Sequence, residues 1–508
     1  MYCLGYNRGK TMSEEAGGNT AEQSTEQSVE HLTEQPVQSQ SSTELSTELS
    51  DGPPVQVPAE PSAGGASIGR ITGISRTLSS VAAVGRELLA RRRNSQSPAV
   101  EPLELAPPNS AETLTALCKA LIRHRGEASG LALAEEVVQG YQNLPVEERL
   151  DFFRALARDF EVDREAVLDA MEAYRESGEQ AHLRSIKRAV EAPREKLFQR
   201  INTAAAGTET LVRMRGHLLQ VLRQHPELGA VDADLKHLFI SWFNKGFLEM
   251  RRIDWSSPAA ILEKIIDYEA VHAINGWDDL RSRLREDRRC FAFFHPALSD
   301  DPLIFVEIAL TNEIPGALSP LLEQGRADAE IDADTVVFYS ISNCHPGLSQ
   351  ISFGNFLIKS VIEELRKEIA TLNTFVTLSP VPGFRNWLLS ANLEGLVAPE
   401  LIDKVREPLG KVVAAEVYDA LQRLCAHYLL NVKSGRLPKD GPARFHLGNG
   451  ARLYRLNASA DMSPKGLEQS AGLMVNYLYD LKQIEANHDA YFDEGIIAAS
   501  KKVRKLVD

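Results

Sequence analysis

Two short stretches hold side chains whose types and spacing could do chemistry. The first is FYSISNCHPGLSQISFGNFLIKSVIEEL, from Phe338 to Leu365. It begins with β-type residues and ends in a helical apolar stripe. Ser340 and Ser342 stand at i and i+2, so on a strand they share a face, with Phe338 beside them. Hydroxyls at the end of a buried strand need partners, either neighbouring backbone or a ligand. No GxSxG elbow surrounds either serine, which argues against an acyl-enzyme hydrolase. A helix starting near Gly354 would offer free N–H groups to a phosphate. Neither GxGxxG nor a P-loop pattern is present, and by spacing alone the turn reads first as a plain strand-to-helix connection. Cys344 and His345 are adjacent, poor geometry for sharing a metal, and read as turn residues. The second stretch is RFHLGNGARLYRLN, residues 444–457. His446 alternates against Phe445 and Leu447, and Gly448-Asn449-Gly450 between alternating runs signals a hairpin. Any one of the twelve histidines is by default a satisfied core residue; what His446 could do instead is move a proton near neutral pH.

The elements that must carry these residues fall into two classes. From about 106 to 285 the pattern is helical. Ser110 is a candidate N-cap, and Phe152, Leu156 and Phe160 lie on one face of an amphipathic helix. TETLVRMRGHLLQVLRQ, DADLKHLFISWFN and SPAAILEKIIDYEAVHAI continue the bundle. Near Cys290 the character changes to buried β-type runs at 290–295, 303–311, 335–342 and 375–379. Helical stretches lie between them, around Ala317–Gln324 and Asn355–Ile369. In the latter Ile358, Val361, Ile362, Leu365 and Ile369 form a stripe. This is an α+β pattern, with a helical domain at 106–285 and a mixed-sheet domain at 286–508.

Residues 1–67 are low complexity, with polar repeats such as TEQSTEQ and STELSTELS, and read as a disordered tail. Residues 68–105 form a basic amphipathic linker. Within it, 68–97 carries six arginines and a single acidic residue, Glu87. That is transit-peptide composition in the wrong place, behind an acidic tail, so the cytoplasm is the first expectation and the mitochondrial matrix the alternative. The chain has 508 residues and a net charge of -14, which argues against a general nucleic-acid binder. Its five cysteines, Cys3, Cys118, Cys290, Cys344 and Cys425, contain no CxxC pair, so neither a zinc site nor a disulfide framework is indicated and a reducing compartment fits. No apolar run is long enough to span a membrane.

Several blocks in one order then resemble the malonyl-CoA decarboxylase family. They are WDDLRSRLREDRRCFAFFHP (277–296), PLIFVEIALTNEIPGAL (302–318), the Phe338–Leu365 stretch, LSPVPGF (378–384) with Asn386 and Trp387, RFHLGNGA (444–451) and SAGLMVNYLYDL (470–481). The resemblance runs from about 110 to the end. It implies an N-terminal helical bundle, a C-terminal domain of acetyltransferase-like (GNAT) fold, and CoA held along the strand–turn–helix beginning at Phe338. It implies conversion of malonyl-CoA to acetyl-CoA and CO2 with no cofactor and no metal, a role in controlling malonyl-CoA in fatty acid metabolism, and a homotetramer. The family's catalytic serine is expected at Ser340, with Ser342 the alternative, and its catalytic histidine at His446, acting as an imidazolium. The acyl-contacting loop falls on Glu313, Ile314, Pro315, Gly316, Ala317, Leu318 and Ser319. Asn449 and Tyr477 are expected to support the site. Lys359, Arg366 and Lys367 could meet CoA phosphates but read first as solvated charges. The rival reading is a CoA-dependent acyltransferase on the same fold.

Overall fold

The structure is a computed structural model, and it describes residues 109–323, 333–351, 356–408 and 414–508. The expectations for the tail, for the basic segment and for a helix start at Gly354 lie outside the described residues.

Helices fill the N-terminal region from Ala111 to Trp242. Ser110 caps the first, its hydroxyl accepting from the Thr113 N–H, and Asp163 caps the helix Arg164–Ser177 through the N–H groups of Glu165 and Ala166. The expected stripe is buried: Phe152, Leu156 and Phe160 all lie in the core with Leu114, Cys118 and Leu121. That core continues without a break into the residues that cover one face of the sheet, among them Phe293, Val306, Phe338, Val361 and Tyr477.

Among the described residues the sheet has eight strands. They are β1 (Glu249–Ile253), β2 (Arg288–Phe294), β3 (Ile304–Thr311), β4 (Thr335–Asn343), β5 (Thr374–Thr377), β6 (Ser379–Pro380), β9 (Arg452–Asn457) and β10 (Met474–Leu478); β7 (Lys433–Ser434) and β8 (Leu437–Pro438) form a separate hairpin. Strand order is β1-β2-β3-β4-β5-β10-β6, with β9 on β10. All pairs are antiparallel except β4 with β5. A helical region followed by a mixed sheet is the class expected. The expected strands do not include β7, β8, β10 or β1; β1 lies inside the stretch read as helical, because its alternation in EMRRI is masked by charge and it forms only by pairing along β2.

Two details decide where side chains point. The β3–β4 register shifts between Glu307 and Ile308: Glu307 faces Ser340 and Ile308 faces Phe338, leaving Tyr339 as an extra residue. The β4–β5 pairing also stops early. It covers Thr335–Phe338 against Thr374–Thr377, after which Leu378 donates one last bond to the Phe338 carbonyl at 3.0 Å. The chain then turns to pair with β10 as β6, and β4 runs on to Asn343 against β3 alone.

The turn after β4 is buttressed by the helical region. Buried Arg215 donates to the carbonyls of Gly347 (2.7 Å) and Ser349 (2.8 Å), and its Nε donates to Asp232 at 2.8 Å. A Cβ at Gly347 would stand 1.8 Å from the Val212 carbonyl oxygen, so only glycine permits this approach.

Candidate active site

His446 stands on a helix, not on a hairpin strand. Asp440 caps the helix Gly441–Gly448 through the Ala443 N–H, and Pro442 sits in its first turn, where its missing donor costs nothing. Gly450 then takes φ 80 and β9 begins at Arg452. The glycines that suggested a hairpin end a helix instead.

Both ring nitrogens of His446 meet hydroxyls. Nε2 lies 3.1 Å from Ser379 Oγ and Nδ1 lies 2.8 Å from the Tyr479 hydroxyl. Ser379 Oγ donates onward to Thr377 Oγ1 at 2.9 Å, which also accepts the Tyr477 N–H at 3.2 Å. With its own proton spent on Thr377, Ser379 can only accept from His446. Nε2 therefore carries the ring proton, and Nδ1 accepts from Tyr479. Tyr477 stacks on the imidazole with centroids 4.7 Å apart, and Phe338 meets Tyr479 edge-on. Burial with no carboxylate partner pulls the His446 pKa down to about 3, and burial also pushes the Tyr479 phenol well up. The resting imidazole is neutral. Nothing in contact with the resting ring stabilises a charge.

Ser340 does not join this group. Its hydroxyl donates to both carboxylate oxygens of Glu269 at 2.8 Å and lies 3.3 Å from Ser342 Oγ. Ser342 donates to Glu269 at 3.1 Å, and Glu269 also accepts the N–H groups of Val271 and His272. Opposite Ser340, buried Glu307 pairs with Arg283 at 2.9 Å; burial and then the Glu269 carboxylate push Glu307 up to about 8 despite that partner. Neighbouring Cys290 and Phe305 belong to a core on this face, whereas Phe338, Tyr477 and Tyr479 belong to the core of the other. The extra Tyr339 accounts for the split. Ser340 and Ser342 do share a face, as expected, but Phe338 does not share it with them, since a one-residue slip inverts every later side chain.

The loop 313–319 is also on the Ser340 side. Arg455 donates to the carbonyls of Ile314 and Pro315, both at 2.9 Å, and the Asn476 amide donates to Pro315 at 3.2 Å. Ile314 and Leu318 pack with Val337, Tyr339 and Met474. Gly316 lies against Asn457, where a Cβ would meet its Oδ1 at 3.4 Å. Glu313 accepts from Thr311 through its carbonyl, Ala317 is half-buried, and Ser319 opens a short helix. None of these residues contacts His446 among the described bonds. Asn449 caps the His446 helix through its backbone N–H. Lys359 pairs with Glu485, Lys367 with Glu364, and Arg366 is exposed.

Thr377, Ser379, Tyr479 and Glu269 were not singled out as chemistry in the sequence. The signal was present for two pairs: Thr377/Ser379 and Tyr477/Tyr479 each stand at i and i+2.

The C-terminal domain model of malonyl-CoA decarboxylase matches residues 246–508, and its N-terminal domain model matches 160–243. The mitochondrial malonyl-CoA decarboxylase of Anser anser anser is 34% identical over 415 residues, covering 73% of this chain and 82% of the relative. That of Rattus norvegicus is 33% identical, covering 71% and 82%. The crystal structure of malonyl-CoA decarboxylase from Rhodopseudomonas palustris is similar at 48% identity and a TM-score of 0.75, covering 78% of this chain and all (100%) of that one. The structure from Cupriavidus metallidurans gives 34% identity and 0.63, with 78% and 99% coverage. Every residue around His446 falls within the C-terminal match, and the chain belongs to the malonyl-CoA decarboxylase family.

Proposed function

We propose that the chain decarboxylates malonyl-CoA, with Ser379, His446 and Tyr479 as its catalytic group. The observation that supports this is the neutral imidazole held between two hydroxyls on the sheet face where β4 and β5 part. Beyond Phe338, β4 has no strand partner on its β5 side among the described residues. An extended pantetheine chain can lie along that edge as an added strand, with its thioester toward Ser379. The carboxylate–carbon bond breaks, its electron pair enters the thioester carbonyl, and CO2 leaves. The His446 Nε2–H and a Ser379 hydroxyl turned toward substrate stabilise the enolate oxygen; one such donor contributes about 2.7–4 kcal/mol in comparable sites. The enolate carbon then takes the His446 Nε2 proton as Nδ1 takes the Tyr479 proton, and a proton from solvent restores the phenol and the resting tautomer as product leaves. The thioester serves as the electron sink, so the reaction uses neither cofactor nor metal. Acyl transfer is not favoured, because the same comparisons point to decarboxylation and the His446 proton chain suits a donor better than an amine base.

Purified protein incubated with malonyl-CoA and no added metal should yield acetyl-CoA and CO2 by mass spectrometry. Release of free CoA in the presence of amines would favour the acyltransferase reading instead.

The same reading assigns the chain a part in setting malonyl-CoA levels in fatty acid metabolism. It places it in the cytoplasm, where its four described cysteines stay reduced. It makes the chain a homotetramer. Among the described residues no helix is long and apolar enough to cross a membrane.

A further inference from the structure

The segment bearing Ser379 and the helix bearing His446 meet at a second point. Asp440, 1% exposed, precedes the helix, and its Oδ1 accepts the Ala443 N–H at 3.0 Å. Its Oδ2 accepts the Gly383 N–H at 3.4 Å, and Gly383 ends the run Ser379-Pro380-Val381-Pro382-Gly383. A side chain at Gly383 would collide with the Tyr428 hydroxyl, at 2.3 Å. Glycine there lets the two segments close on one carboxylate. The two prolines fix φ on either side of Val381, whose own N–H donates to Ser470 Oγ at 3.0 Å, so the short run from Gly383 back to Ser379 has few free torsions. We propose that Asp440 is a positioning residue: its carboxylate clamps the two segments and thereby sets the Ser379–His446 contact. The proposal rests on the decarboxylase reading above.

The clamp is sensitive to protonation. Facing Asp440 are Arg444 on its own helix, Tyr477 on β10, and Cys425 and Tyr428 on the helix Ala415–Asn431. No lysine or arginine forms an ion pair with it among the described residues, and burial pushes its pKa up to about 6. Once protonated, one oxygen becomes a donor. The Ala443 bond can survive on the other, but the Gly383 N–H then faces an O–H and the clamp opens. Activity of the native protein should therefore fall as pH drops through this range.

Asp440→Asn tests both parts. Its amide oxygen can keep the helix cap, while its NH2 group faces the Gly383 N–H as the protonated acid would. At neutral pH kcat should fall about 10–100-fold, the loss expected of a small misplacement. KM should stay within about twofold, and the acidic decline should flatten. Asp440→Ser, which caps the helix but cannot reach Gly383, should show the same kcat loss and serves if the Asn protein does not fold. Native kcat in either folded variant overturns the proposal. So does an acidic decline that persists unchanged in the Asn variant, because a merely structural role would leave its midpoint in place. The native protein is assayed first: failure to convert malonyl-CoA there sinks the functional reading, whereas native activity with unaffected variants sinks only the clamp.

Discussion

A buried imidazole with no carboxylate beside it is poor as a permanent cation and good as a switchable donor. That is the state in which the fold holds His446, and it explains why both neighbours are hydroxyls. His446→Ala and Ser379→Ala should each lower kcat about 10²–10³-fold, the usual cost of one lost oxyanion donor. Ser340→Ala should instead leave kcat within about threefold and lower stability by about 1–3 kcal/mol, because it strips a donor from buried Glu269. Steady-state kinetics and urea unfolding separate the cases, and a collapse of kcat in a folded Ser340→Ala protein would return catalysis to the other face. His446 also carries a pH signature. Its folded pKa lies near 3, below the unfolded 6.5, so its contribution to stability is full above pH 6.5. It is lost on acidification toward 3, at up to about 1.4 kcal/mol per pH unit. Unfolding measured across this window should be flatter for His446→Gln; an equal slope would mean the ring is charged in the folded protein.

At the scale of elements, the strands and most helices were readable, while register was not. Propensity and apolar pattern placed β2 to β5 within a residue or so at most ends, because each is buried and β-rich. Neither could show the extra Tyr339 in β4, since a bulge arises from how β3 pairs and leaves no mark in the alternation of FYSIS. The helix at His446 was misread because alternation across three residues fits a strand or a short helix alike. The turn after β4 depends on a distant helix. Gly347→Ala should cost about 1–3 kcal/mol or more through overpacking against Val212 and raise the KM for malonyl-CoA. Thermal melts and kinetics would show it, and unaltered values would mean that the turn is free to move away from Val212.

For the whole molecule, the helical region does two things. It supports the β4 turn through Arg215, and it presents a hairpin of the helices Arg164–Ser177 and Gln180–Ala189 in which no residue is buried. Leu168, Met171, Leu183 and Val190 are exposed there. The first helix carries Glu165, Asp169, Glu172 and Glu176 against Arg164 and Arg175, the latter paired with Glu172, whereas the second carries Arg184, Lys187 and Arg188 and no acid. A two-fold copy can set acidic helix against basic helix over the apolar residues. Leu168→Glu with Met171→Glu should lower the mass measured by light scattering without altering the Tm of the subunit. An unchanged mass would mean that this hairpin is not a contact between copies of the chain.

The sequence by itself determined the class of fold, the helical bundle, the buried strands and the family, because these depend on local pattern and on long blocks in a fixed order. It also brought His446 forward as a candidate for moving a proton. Only the tertiary structure decided which serine accompanies it. Ser340 lies on β4 and Ser379 on β6, with β5 and β10 between them in the sheet order, and the alternation of each strand is locally plausible. Cross-strand pairing, with one extra residue in β4, turns Ser340 to Glu269 on one face and leaves Ser379 with His446 on the other. Which face a side chain takes is a property of the pair of strands, and no single strand's sequence contains it.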